Sequence, residues 1–131
     1  MGLRYEDLDH ETRKFMVEEI DMDNREDEKL IAVTSAVDKV IVAVEGDNGY
    51  AVHAPGERAY VLQSLKSFSD TLRVSAQITG MQVKAFALDP LKAVITRFGK
   101  SALGIVSTAA QQAILDWLKT NFGKLLGMLL S

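Results

Sequence analysis

Residues 101–131 carry only three charged side chains, Asp116, Lys119 and Lys124. Small residues crowd the first part of this stretch: Ala102, Gly104, Ser107, Ala109, Ala110 and Ala113. Bulky ones follow, from Ile114, Leu115, Trp117 and Leu118 to Phe122, Leu125, Leu126, Met128 and Leu129. The spacing predicts one helix over 101–130, weakened near its end by Gly123 and Gly127 at up to about 1 kcal/mol each relative to Ala. A helix apolar on most sides must lie at the centre of a core, in an oligomer seam or in a membrane. Whatever the chain folds into has to hide this element.

The preceding residues divide into shorter helical patterns. Leu8, Phe15, Met16 and Ile20 make an apolar stripe in an acidic helix expected over 5–22, with Asp9 placed to cap it. Leu30, Val33, Val37, Val40, Ile41 and Val44 recur at intervals of three and four, which predicts a helix ended by Gly46 in the left-handed region. The run Val40–Val44 is also β-branched, and residues 46–49 could turn it back onto Tyr50–Val52. A hairpin at about 38–54 is therefore the alternative. Beyond Pro55, Val61, Leu65, Phe68 and Leu72 mark the clearest amphipathic helix. A further helix is expected from about Gln77–Gln82, broken at Asp89-Pro90, restarted there and closed by Gly99. The expected architecture is an all-α, compact bundle of five or six helices in a single domain over 1–131. It comprises the acidic helix, a helical core over 30–98 and the apolar helix over 101–130. The alternative is an α+β fold carrying the hairpin.

The run Arg4-Tyr5-Glu6-Asp7-Leu8-Asp9, with Thr12-Arg13, Phe15-Met16 and Glu18-Glu19-Ile20, resembles the opening of a group of uncharacterised small bacterial proteins. The resemblance covers residues 4–22. It implies a bacterial cytoplasmic setting and no activity. Met1 leads into a polar segment rather than a signal sequence, which also makes the expected location cytoplasmic, with membrane association as the alternative.

Charge is distributed unevenly. Residues 1–57 hold fifteen acidic and six basic side chains, and residues 58–131 hold three acidic and nine basic. The simplest expectation is that acidic early helices pack beside basic later ones. The acidic first half and the wide spacing of the cations in the second make nucleic acid an unlikely partner.

No residue pattern points to catalysis. Asp21, Asp23 and Asp27 suggest a calcium loop, but Arg25, Glu26 and Ala32 stand where a ligand, the turn glycine and the closing glutamate belong. His10 and His53 have no second ligand at metal spacing, and the chain has no cysteine. The serines carry no nucleophile-elbow motif, and the glycines carry no phosphate-loop motif. No catalytic, cofactor-binding or metal residue is assigned, and the chain is not expected to be an enzyme. The expected function is a helical interaction module that self-associates or docks a protein partner through its last helix. The contact residues expected are Leu103, Val106, Ala110, Ile114, Trp117, Leu118, Phe122, Leu125, Leu126 and Leu129. The alternative is a small membrane-active effector of a bacterial conflict or defence system, acting on anionic lipid.

Overall fold

The computed structural model describes Val17, residues 19–22, Asn24 and residues 26–122. Its elements run β1 (Glu19–Asp21), α1 (Glu28–Glu45), α2 (Asn48–His53), α3 (Pro55–Val74), β2 (Gln77–Thr79), α4 (Gly80–Val83), a π-helical turn (Lys84–Leu88), α5 (Asp89–Phe98) and α6 (Ala102–Phe122). The fold is an all-α bundle with one small two-stranded sheet.

α1 is central. Asp27 accepts the Lys29 N–H at 3.0 Å and starts the helix. Leu30, Val33, Val37, Val40, Ile41 and Val44 are all buried, and each such side chain contributes roughly 1.5–3 kcal/mol on leaving water. α6 packs along α1 and α5, and α3 packs along α1 and the π turn. Among the described helices, α3 and α6 are the main neighbours of α1. Residues 38–45 and 48–53 are helical, so the hairpin alternative does not form. The β-branched run is accommodated because packing on α3 and α6 outweighs a small propensity cost. Gly46 ends α1 at φ −85°, ψ −4° rather than in the left-handed region. Asp47 begins α2 at once by accepting the Tyr50 N–H at 2.9 Å. A left-handed residue would have sent the chain elsewhere.

One expectation is corrected at the sheet: Glu19–Asp21 is a strand, not the end of a helix running to Met22. The helix expected from about Gln77–Gln82 begins at Gly80, and the strand Gln77–Thr79 just ahead of it was not expected. The two strands pair antiparallel, with Ile20 opposite Ile78. Ile20 and Met22 are both buried while Glu19 and Asp21 are exposed. That period of two requires a strand. Residues 5–16 of the expected first helix lie outside the described residues.

The expected break at Asp89-Pro90 is also corrected. Asp89 keeps helical angles, φ −66° and ψ −47°, and its N–H bonds to the Lys84 carbonyl in π-helical spacing. Pro90 lacks an N–H and crowds the preceding turn. The wider π turn supplies the space, so α4 runs into α5 without a stop. Thr79 and Gln82 form a capping box at the start of α4.

Gly99 closes α5 as expected, at φ +54° and ψ −115°, a conformation open to glycine and strained for other residues. α6 folds back against it so closely that a Cβ on Gly104 would stand 2.0 Å from the Gly99 carbonyl oxygen. Gly104→Ala is expected to cost about 2–3 kcal/mol by overpacking, measured by chemical denaturation. Gly56→Ala, which meets nothing within 4 Å, should be neutral or mildly stabilising.

Candidate functional site

The expected interaction residues on α6 are mostly spent inside the chain. Leu103, Ala110, Ile114, Trp117 and Leu118 are buried in the chain's own core, and Val106 packs against that core half-buried. In this conformation the five buried residues cannot also meet a partner. Phe122 is the last residue of α6, and its side chain lies beyond those described. Leu125, Leu126 and Leu129 lie outside the described residues. No described helix is long and apolar enough to cross a membrane.

An open, largely apolar feature lies instead on the outer face of α1. A groove of about 790 Å³ runs along this face beside the end of α3, lined by Leu30, Ile31, Ser35, Val42, Leu72 and Arg73 among others. Ile31 is 52% exposed and Val42 69%. They sit eleven residues apart, about 16 Å along a helix rising 1.5 Å per residue. Residues 31, 35, 38 and 42 form one helical stripe, so a face separate from the buried one is presented to solvent.

One wall is fixed by a polar cluster. Ser69, itself buried, donates to Asp38 Oδ1 at 2.8 Å. Arg73 donates to Ser69 Oγ and to the other Asp38 oxygen. A single carboxylate on α1 is thus held by two groups on α3, which sets the spacing of the helices bounding the groove. Farther along, Lys66 pairs with Glu45 at 3.0 Å, and Arg58 donates to the Glu45 carbonyl at 3.2 Å. That contact satisfies an orphan acceptor at the end of α1.

A second hollow, of about 620 Å³, is lined by Glu57, Asp89, Lys92, Ala93, Thr96 and Arg97. Its charges are largely engaged with one another: Arg97 pairs with Glu57, and Lys84 with Asp89 at 3.0 Å. Nearby, Tyr50 is buried and meets the Phe98 ring edge-on at 4.9 Å. Its hydroxyl has no hydrogen bond of good geometry. Burial, then the Glu57 charge, pushes its pKa up to about 12. Among the described residues, no group of three or more acidic or histidine side chains could hold a metal ion.

The α1 groove was not read from the sequence. The signal was Ile31 and Val42 falling off the buried register of α1, and it was hidden because both are apolar like the residues that pack.

Tyr50→Phe should leave stability at pH 7 unchanged or slightly higher, since the hydroxyl it removes is buried and unpartnered. Tyr50 keeps its proton in the fold after the unfolded chain has begun to lose its own. The wild type therefore loses stability as pH rises from about 10 through about 12. The variant should lack that component in denaturation curves taken across this range.

Comparison with known protein families, with characterised proteins and with solved structures finds no match for the chain. Its function is argued from the site alone.

Proposed function

We propose that the chain is a non-enzymatic helical interaction module that self-associates by seating the apolar C-terminal run of one copy in the α1 groove of another. The observation that carries it is the groove itself: an open, largely apolar channel with Ile31 and Val42 exposed along it. The occupant follows from spacing. Phe122, Leu125, Leu126 and Leu129 fall at i, i+3, i+4 and i+7, the anchor pattern with which amphipathic helices fill apolar grooves. The apolar residues before them on α6 are mainly committed to the core, so these are the ones left for a second copy.

Light scattering over a concentration series tests it. The wild type should exceed the monomer mass. Ile31→Asp with Val42→Asp, and separately Leu125→Asp with Leu129→Asp, should each weaken association about tenfold or more with an unchanged far-UV spectrum. A wild type that stays monomeric throughout would sink the reading. Salt-sensitive binding to anionic liposomes in place of self-association would favour the membrane-active alternative.

A further inference from the structure

The outer face of α1 reads alike from either end. Reversing the helix about its midpoint, between Ala36 and Val37, carries Ile31 onto Val42, Leu30 onto Ala43, Thr34 onto Lys39 and Ser35 onto Asp38. These are the α1 residues that line the groove, with none left over. A surface that a half-turn maps onto itself is what a two-fold contact between identical chains requires.

The exchanged residues also match in size and charge. Ile31 and Val42 are both apolar and exposed, and the long Leu30 comes across from the short Ala43. At the centre Ser35 is small and exposed, so two backbones can approach there. Its hydroxyl meets the Asp38 carboxylate, whose oxygens each accept one bond on their own chain and have room for another. Thr34 donates its proton to the Leu30 carbonyl at 3.0 Å, which leaves its oxygen to accept from the Lys39 ammonium. Beyond the groove Glu28 comes opposite Glu45, but Glu45 is paired with Lys66 at 3.0 Å, so Glu28 faces an ion pair rather than a bare charge. A parallel pairing would instead set Asp38 against Asp38 and Lys39 against Lys39.

We propose that the outer face of α1 also meets the same face of a second copy, antiparallel, with Ile31 of each chain against Val42 of the other, and that this closed pair excludes the C-terminal run. Seating the run of one copy in the groove of the next is a head-to-tail contact, which adds copies in an open series unless its rotation closes a ring. The face-to-face pair covers the grooves of both copies and offers none to a further run, so it ends such a series. Only this terminating role rests on the reading of the C-terminal run; the pairing itself does not.

The chain has no cysteine, so single ones can be introduced into the full-length protein cleanly. A disulfide requires Cα atoms within about 7 Å. The antiparallel pair brings position 31 of one copy beside position 42 of the other and leaves the two positions 31 about 16 Å apart along the helices. Under mild oxidation, Ile31→Cys mixed with Val42→Cys should give the mixed disulfide dimer in several-fold excess over the dimer that either variant forms alone. Equal yields, no cross-link, or an excess of like-with-like dimers would overturn the proposal. With Leu125→Asp and Leu129→Asp added to both chains, the mixed cross-link should persist at equal or greater yield, and its loss would also overturn the proposal. If those two substitutions leave the mass in light scattering at the wild-type value, the seating of the C-terminal run fails while the cross-link stands.

Discussion

The structure depends on the face of α1 formed by Leu30, Val33, Val37, Val40, Ile41 and Val44. This one helix meets α3 on one side and α6 on the other, so neither neighbour is placed without it. Valine dominates the face, and its short, stiff side chains let two helices approach a third without interdigitating long ones. The buried apolar residues form one contiguous cluster that reaches from Ile20 on β1 to Leu118 on α6. The outer face of α1 is left over from this arrangement. It carries two exposed aliphatic side chains because the inner face has already met both of its neighbours.

Electrostatics follows the same plan. The ion pairs Asp38–Arg73, Glu45–Lys66 and Glu57–Arg97 each join an acid of the first fifty-seven residues to a base of the remainder. The uneven charge along the sequence is in this respect a complementarity between packed helices, as the simplest expectation held. All three pairs are at least partly exposed to solvent, so each contributes on the order of 1 kcal/mol or less. Their effect lies more in register: Asp38, gripped by both Ser69 and Arg73, fixes where α3 lies along α1.

The long helices were legible because their apolar residues hold a strict period. Leu65 and Phe68 on α3 and Val37 on α1 are buried as that period requires. The short elements were not. Three residues of strand at Glu19–Asp21 carry too little pattern to oppose a neighbouring helical stripe, although Ile20 and Met22 show the alternation once it is sought. At Pro90 the local rule was sound, but the structure met it by widening a turn instead of ending a helix. On α6 the apolar excess was visible, whereas its destination was not. Composition cannot distinguish a face that meets α1 of the same chain from one that meets another molecule. Trp117 illustrates this: its type suits a membrane interface, and it is buried at 3% exposure within the core.

The distance in sequence between α1 and α6 has a consequence for the order of events at the ribosome. The acidic half emerges first, carrying the valine face but neither the cations that pair with it nor the helix that covers its second side. α6 is the last described element to be made, and its Ile114, Trp117 and Leu118 complete the core. Until that helix is released, α1 has an uncovered apolar side, although the cations of α3 that pair with it are already made. Completion of the described core therefore waits on α6, with like-charge repulsion among the early residues opposing aggregation of the unfinished chain.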